Sequence, residues 1–330
     1  MAEYKNVLVH CEAADGKLTS MATELLGVGS RLARELDEQL CALLTGTGIA
    51  PKEAIAFGAD KVYVLDEKPP DEATTDYFLT AFDGVIEQLM PRVMLFGQTP
   101  AGRDIAPRIA FRRNTAAVLD CVSLEIDKES KRLLQTKPVS GGNALAVFSC
   151  ESDPQIATVR PKAMAPLAKD DQRKGEVHTI HVDINAAGTG TMLLERAVVP
   201  SEGIKLEEAR VIVSGGRGIG DAEGFKQLEE LARLLHGAVG ASRPPCDNGW
   251  VPNSYLIGLT GKVVSPDVYI AVAISGASQH LSGCSGSKTI VAFNKDSEAN
   301  IFRMAQFGIV GDWKRIIPAF ASRVKALKNE

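Results

Sequence analysis

The chain has 330 residues, of which 45% are hydrophobic and 24% are charged, a composition typical of a globular protein long enough for two domains. Its formal net charge of −4 gives no support for a nucleic-acid-binding surface, which would carry an excess of lysine and arginine. No stretch approaches the roughly 20 consecutive apolar residues that cross a bilayer, so no membrane span is predicted.

Cysteine usage and the first residues bear on the compartment. Six cysteines are scattered without any CxxC pair, which argues against a zinc or iron–sulfur site and favours reduced thiols. The opening segment MAEYKNVLVHCEA lacks the basic and apolar regions of a secretory signal. We therefore expect a cytoplasmic protein, or a mitochondrial matrix protein if this is a mature eukaryotic form, with no metal site.

The first half alternates strand-like and helix-like segments. NVLVHCEA is predicted to be the first strand, and TSMATELLGVGSRLARELDEQL carries apolar residues at helical spacing. The theme repeats in further segments, namely CALLTG, ADKVYVLDE, the helix-like DYFLTAFDGVIEQLM, and PRVMLFGQT. This alternation is typical of a mostly parallel sheet that is covered by helices.

A strand-rich region follows at residues 108–127, 133–150 and 155–164. We interpret it as an antiparallel extension of the first sheet. The polar stretch from Met164 to about Gly188 predicts a short strand and then a connector. Residues 1–198 are therefore assigned to an N-terminal α/β domain with a Rossmann-like, nucleotide-hydrolase-like sheet.

A second α/β unit begins near residue 200, and we assign residues 199–330 to it. Its predicted strands are apolar throughout, as expected when helices cover both faces of a doubly wound parallel sheet. Helices are predicted over the segments DAEGFKQLEELARLLHG, EANIFRMAQ and IIPAFASRVKALK.

Small and polar residues stand where these strands end. SGGR follows the first strand of this unit, GASR the second and SGASQH the third, and the loop IGLTGK adds a hydroxyl and a cation. Ligands of doubly wound sheets bind outside the carboxyl ends of the strands, where glycines let backbone N–H groups approach a phosphate. With Arg217, Arg243 and Lys262 to offset a pyrophosphate, the pattern predicts one extended, anionic nucleotide cofactor across this rim.

The type of nucleotide is narrowed by what the motifs lack. The fingerprint GxGxxG fails, because its third glycine, counted from Gly216, falls at Asp221, and a GxxxxGK[ST] motif is absent. The uncharged donors of the rim suit a flavin, whose N1/C2=O edge gathers negative charge on reduction. Two alternatives stay open at this stage, an NAD-dependent dehydrogenase and a non-redox nucleotide-binding module.

Several motifs in order carry a family resemblance. GASRPPCDNGWVPN, GLTGK, VVSPDVYIAVAISGASQHLSG, SKTIVAFNKD and FGIVGDW resemble the alpha subunit of electron transfer flavoprotein, the FixB family, over most of residues 205–325. The first half resembles that family more weakly, in LFGQTPAGRDIAPRIAFRRNTAAVLDC and QIATVRPKAM. The resemblance implies a C-terminal domain that binds FAD, and an N-terminal domain, itself without a cofactor motif, that docks a beta subunit in a heterodimer.

The same resemblance implies an electron carrier. Electrons would arrive from or leave to a dehydrogenase of the acyl-CoA dehydrogenase type, as in fatty acid β-oxidation, with a quinone oxidoreductase or a ferredoxin-linked partner on the other side. Some relatives carry out electron bifurcation, with their second nucleotide site on the beta subunit. No residue resembles a general acid, base or nucleophile, so we predict no catalytic residue.

Residues that match the family's motifs are expected to bind FAD. The resemblance places Thr260 near flavin N5, His280 at the C2=O edge, and Asn294 and Asp312 at the adenosine half. The full set is Arg217, Ser242, Arg243, Ile257, Gly258, Leu259, Thr260, Ser275, Gly276, Ala277, Ser278, Gln279, His280, Asn294, Asp312 and Trp313. The chain departs from the family at Leu259, Ala273 and Ser278, where the family commonly has glutamine, glycine and isoleucine.

Overall fold

The chain forms two compact units, which are described separately. The computed structural model describes residues 3–14, 16–45, 51–66, 74–142, 144–183, 194–195 and 204–329. One unit comprises Met1–Pro138 with Leu145–Ala197, and the other comprises Val139–Ala144 with Val198–Glu330. The domain boundary expected between residues 198 and 199 lies outside the described residues and stays a prediction.

The first unit is built on a parallel sheet. Its elements are β1 Val7–Cys11, β2 Ala13–Ala14, β3 Lys17–Leu18, α1 Ser20–Leu36, β4 Leu40–Leu44, α2 Pro51–Ala56, β5 Lys61–Leu65, α3 Thr75–Leu89, β6 Val93–Gly97, α4 Pro100–Arg112, β7 Ala117–Cys121, β8 Ser123–Ile126, β9 Leu133–Val139, β10 Ala144–Phe148, β11 Gln155–Val159 and β12 Glu176–Ile180. The seven-stranded sheet has the order β12-β5-β4-β1-β6-β11-β7, and all of its neighbouring strands are parallel. The Rossmann-like sheet predicted from the sequence is confirmed.

Helices cover both faces of this sheet. Val7 and Val9 of β1 belong to one buried cluster with α1, whereas Leu8 belongs to a second cluster that contains Phe82 of α3. Successive side chains of a strand point to opposite faces, so a strand buried on both sides must be apolar at every position. The uniformly apolar segment around β1 therefore reflects a central position in the sheet.

The region after β6 differs from the prediction. Residues 108–112 end α4, which begins after Thr99, whose Oγ1 accepts a hydrogen bond from the Gly102 N–H at 3.1 Å. Gly102 and Pro107 disfavour a helix locally, yet the helix buries an apolar face. The antiparallel extension is also wrong: β7 and β11 are parallel members of the main sheet, and β8, β9 and β10 form a separate three-stranded sheet.

The second unit contains a five-stranded parallel sheet. Its elements are β13 Val211–Gly215, α5 Ala222–Leu234, β14 Ala238–Ala241, α6 Arg243–Asp247, β15 Val268–Val272, α7 Ser278–Cys284, β16 Thr289–Asn294, β17 Phe307–Val310 and α8 Trp313–Asn329. The order β14-β13-β15-β16-β17, with all neighbours parallel, is doubly wound, and the order reverses between β13 and β15. The predicted C-terminal fold is thus confirmed.

Two further details concern helices. The helix expected over residues 298–306 is a single 3-10 turn at Asn300–Arg303, because the Ile301 N–H donates to the Ser275 carbonyl and not to a carbonyl four residues earlier. Among the described helices, none combines the length and the apolar character that crossing a membrane requires.

Candidate cofactor-binding site

A cavity of about 660 Å³ opens at the carboxyl ends of the second sheet. Its position is that of ligand sites in doubly wound folds, beside the point between β13 and β15 where the strand order reverses. Its size falls within the range of about 300–1,000 Å³ that is usual for small-molecule sites. It is lined by Arg217, Gly218, Ser242, Arg243, Pro244, Leu256, Ile257, Gly258, Leu259, Thr260, Ala273, Ser275, Ala277, Gln279, His280, Asn294, Lys295, Asp296 and Ala299.

The loop between β15 and α7 turns sharply below the cavity. Ala273 has a φ of +54° and its N–H donates to the Phe293 carbonyl at 2.7 Å. Gly276 has a φ of +83°, and a Cβ there would lie 2.2 Å from the Ile301 nitrogen. That nitrogen donates to the Ser275 carbonyl at 3.1 Å, which pins the loop to the following turn. Gly276 is therefore fixed by backbone geometry, whereas Ser275 and Ala277 on either side of it line the cavity.

The end of β13 comes very close to the end of β15. A Cβ at Gly216 would lie 2.1 Å from the Ala273 carbonyl oxygen, so only glycine fits there. The chain then makes a 3-10 turn at Arg217–Ile219. The indole N–H of Trp313 donates to the Gly218 carbonyl in this turn at 3.0 Å. Trp313, at the start of α8, therefore holds the turn that contains Arg217, although it does not line the main cavity.

The Ile257–Lys262 loop forms another wall and is anchored by its main chain. The Ile257 N–H donates to the Ala241 carbonyl at 2.9 Å, and the Leu259 N–H donates to the Gln279 carbonyl at 2.7 Å. Lys262 was expected to offset a pyrophosphate, but its ammonium lies 3.0 Å from a Glu207 carboxylate oxygen and it does not line this cavity. That expectation is wrong, because the loop turns the side chain of Lys262 toward Glu207.

His280 and Ser242 are the two buried polar residues among the described residues that line this cavity. Only 6% of the surface of His280 is exposed, and its Nε2 lies 2.9 Å from the hydroxyl of Tyr269. Its Nδ1 is buried and has no hydrogen-bond partner. Burial lowers the pKa of His280 to about 4, opposed by the adjacent backbone of Ile257. The imidazole is therefore neutral at physiological pH and offers a hydrogen bond rather than a charge.

Charged side chains cluster at the rim. Arg217, Arg243, Lys295 and Asp296 line the cavity. The Arg243 side chain is 56% exposed, with Nη1 3.7 Å from an Asp247 carboxylate oxygen. The rim thus offers an excess of positive charge to an anionic ligand. Within the described residues, no group of three or more histidine, cysteine, aspartate or glutamate side chains is placed to hold a metal ion.

A second cavity of about 350 Å³ shares part of this lining. Asp312 and Trp313 line it together with residues common to both cavities, namely Gly218, Ala273, Asn294 and Lys295. The Asn294 side-chain amide donates to the Ile274 carbonyl at 2.9 Å, which fixes this residue at the boundary. The two cavities together form the elongated site that an extended nucleotide needs.

Most residues expected to bind a cofactor line one of the two cavities. The exceptions are Gly276, which makes the turn described above, and Ser278, whose exposed side chain lies at the start of α7 outside both linings. The set of residues expected to bind FAD omits several residues that line the cavity, which are Gly218, Pro244, Leu256, Ala273, Lys295, Asp296 and Ala299. For Lys295 and Asp296 a signal existed, because both directly follow the strand that ends at Asn294.

The fold and the site define a nucleotide-cofactor-binding protein of the doubly wound class. A cradle that a Cβ would fill at Gly216, a buried ring nitrogen without a partner at His280, and rim arginines suit a large, planar, anionic cofactor such as FAD.

Comparisons with known proteins then identify the family. Residues 205–285 match the electron transfer flavoprotein FAD-binding domain, and residues 7–185 match the electron transfer flavoprotein domain. The chain is 44% identical to electron transfer flavoprotein subunit alpha of Thermoanaerobacterium thermosaccharolyticum, over 99% of this chain and 100% of that protein. It is 39% identical to the subunit alpha of Megasphaera elsdenii, over 100% of this chain and 99% of that protein.

A further relative carries a different name. The acryloyl-CoA reductase electron transfer subunit beta of Anaerotignum propionicum is 35% identical, over 99% of this chain and 97% of that protein. The chain belongs to the family of electron transfer flavoprotein alpha subunits, also named FixB, and FAD is the cofactor of its second domain. Alpha subunits of this family pair with a beta subunit. The comparisons do not favour an NAD-dependent dehydrogenase or a non-redox module.

Proposed function

We propose that this chain, paired with a beta subunit, holds one FAD across the two cavities and carries electrons between a dehydrogenase that acts on CoA thioesters and a second redox partner. The observation that carries the proposal is the continuous lining from His280 to Trp313, which joins a buried neutral imidazole to a cationic rim. Bound there, FAD would supply the electron-accepting chemistry.

The roles of individual residues follow from their positions and from the family resemblance. Arg217 and Arg243, at the rim, offset the negative charge of the cofactor. Thr260 and His280 face the ring system, the former near N5 and the latter at the C2=O edge. Asp312 and Trp313, in the smaller cavity, hold the adenosine half. None of these groups acts as an acid, base or nucleophile on a substrate, so the protein works as a carrier.

The name of one relative supports the choice of partner. The acryloyl-CoA reductase electron transfer subunit serves an enzyme whose substrate is a CoA thioester. An acyl-CoA dehydrogenase-type partner, as in fatty acid β-oxidation, is the matching class for this chain. The cysteines also favour the cytoplasm: all six lie in described residues, and all are free thiols, as expected in a reducing compartment.

Cofactor binding is tested with two leucine variants on one loop. The full chain is co-expressed with its beta subunit, and FAD is quantified by its visible absorption after purification. Ser275→Leu, which fills the cavity, should lower FAD occupancy strongly, whereas Ser278→Leu, whose side chain points elsewhere, should retain it. Equal FAD occupancy in both variants would show that this cavity is not the FAD site.

Electron transfer is tested with the FAD-loaded complex. An acyl-CoA dehydrogenase and its substrate should bleach the flavin absorption at a rate that depends on dehydrogenase concentration. A quinone reductase or a ferredoxin added afterwards should restore the absorption, and simultaneous NADH-driven reduction of ferredoxin and a CoA-thioester substrate would demonstrate bifurcation. A flavin that neither donates to nor accepts from any of these partners would contradict the carrier role.

A further inference from the structure

A buried polar chain runs from the sheet core to the cofactor cavity. Tyr269 in β15 is completely buried, and its hydroxyl lies 2.9 Å from Nε2 of His280 at the start of α7. Ser214 of β13 is also completely buried and lies beside the tyrosine hydroxyl, although its Oγ completes no hydrogen bond of good geometry. Burying a polar group costs free energy unless the group is hydrogen-bonded. The well-formed hydrogen bond between Tyr269 and His280 therefore decides how these three side chains are arranged.

The protonation states follow from burial. Burial raises the pKa of Tyr269 well above its ordinary value, so the phenol keeps its proton. His280 is neutral and carries a single ring proton, on either Nδ1 or Nε2. Cys284 is the other titratable group beside the phenol, and burial raises the pKa of its thiol to about 12. No ion therefore competes with the Tyr269–His280 bond.

The surroundings of Nδ1 separate the two tautomers. If Nε2 carried the proton, the unpartnered Nδ1 would present a lone pair, which cannot bond to a flavin carbonyl because that oxygen is also an acceptor. If the Tyr269 hydroxyl donates to Nε2, the ring proton is on Nδ1, and Nδ1 is then a hydrogen-bond donor. Only the second arrangement suits an acceptor such as a flavin carbonyl.

We propose that Tyr269 is a positioning residue, whose hydroxyl donates to His280 Nε2 and thereby fixes the histidine as the neutral tautomer with its proton on Nδ1. This role rests on the proposed placement of His280 at the flavin. A donated hydrogen bond at Nε2 polarises the ring and strengthens the bond that Nδ1–H makes to an acceptor. That acceptor gains negative charge on reduction, so the arrangement favours reduced over oxidised flavin.

The tautomer is measured directly by ¹⁵N NMR. The FAD-loaded complex is prepared with ¹⁵N-histidine in this chain, which has five histidines, and the His280 signals are identified by their loss in His280→Asn. The wild type should show a protonated Nδ1 and an unprotonated Nε2. A protonated Nε2 in the wild type would overturn the proposal, and this result needs no variant of Tyr269.

Two variants then test the cause. Tyr269→Phe, which removes only the hydroxyl, should give a mixture of tautomers or the reverse tautomer. Ser214→Ala removes the neighbouring hydroxyl but leaves the Tyr269–His280 bond, so it should preserve the wild-type tautomer. A wild-type tautomer in Tyr269→Phe, or a change of tautomer in Ser214→Ala, would show that Tyr269 does not set the ring.

The flavin potential tests the consequence. Tyr269→Phe should lower the preference for reduced over oxidised FAD about tenfold, which is about 30 mV for this two-electron couple, and Ser214→Ala should change it much less. An altered tautomer with FAD retained and an unchanged potential would overturn the role at the flavin. Loss of FAD from the wild-type complex itself would instead refute the proposed function and leave the tautomer assignment standing.

Discussion

A pair of substitutions on the β15–α7 loop has opposite expected effects. Ala273 has a φ of +54°, where a side chain costs about 1–2 kcal/mol relative to glycine. Ala273→Gly relieves this strain but gives the unfolded chain more freedom, which offsets about 0.4–1 kcal/mol. The net expectation is a free energy of unfolding higher by about 0.5–1 kcal/mol, estimated from those two terms. Gly276→Ala should lower it by more than about 2 kcal/mol, because its Cβ would meet the Ile301 nitrogen.

Guanidinium unfolding of the full-length chain, followed by tryptophan fluorescence, measures both changes. The chain has two tryptophans, Trp250 and Trp313, and both lie in the second unit, so the signal reports on the unit that carries the loop. An unchanged or less stable Ala273→Gly protein would refute the assignment of strain. A neutral Gly276→Ala would refute the close approach at Ile301.

Three further outcomes follow from single contacts. Arg243→Ala should lower the flavin potential by about 40 mV, which is at the lower end for a lost charge-assisted bond because the Arg243 side chain is mostly exposed. Leu259→Gln adds a dipole without a charge and should shift the potential less. Spectroelectrochemical titration measures both variants, and an unchanged potential in Arg243→Ala would contradict this prediction. Glu24 is buried on α1 and accepts the Lys162 N–H at 2.7 Å, and burial raises its pKa to about 7 from an unfolded value of 4.5. The stability it contributes is full below pH 4.5 and is lost as the pH rises through 7, by up to about 3 kcal/mol; urea unfolding across this range should show a flatter profile for Glu24→Gln, and an identical profile would exclude Glu24 as the cause. Trp313→Phe loses the hydrogen bond to the Gly218 carbonyl and should weaken FAD binding about fivefold, the equivalent of about 1 kcal/mol. A fluorescence titration measures the affinity, and an unchanged affinity would show that this hydrogen bond does not support the FAD site.

Sequence patterns predicted those features of the fold that depend on residues close to one another along the chain. Uniformly apolar strands and their polar endings follow directly from burial between helices and from the position of ligand sites in doubly wound sheets. The helix α4 was missed because Pro107 and Gly102 lower local helix propensity, and tertiary burial of its apolar face overrides that. The side-chain directions of Lys262 and Ser278 depend on how two different loops turn, the Ile257–Lys262 loop and the β15–α7 loop, and no local pattern in the sequence shows this.

Contacts between residues that are far apart along the chain could not be predicted from the sequence, because they depend on how the elements pack. Tyr269 reads as an ordinary core residue of a strand, and its bond to His280 exists only because α7 returns over the end of the sheet. Likewise, the ring contact of Trp313 with the Gly218 carbonyl joins residues 95 positions apart. No local pattern records either pairing.

The anchoring of the Ile257–Lys262 loop by its main chain bears on how this site can diverge. Backbone bonds to Ala241 and Gln279 fix the path of the loop, and the Leu259 side chain is 63% exposed at the cavity. Since no side chain at position 259 is required for that path, a substitution there would alter the polarity of the cavity lining while the path of the loop stays the same. We therefore expect single substitutions at position 259 to change the environment of the cofactor without a cost in folding.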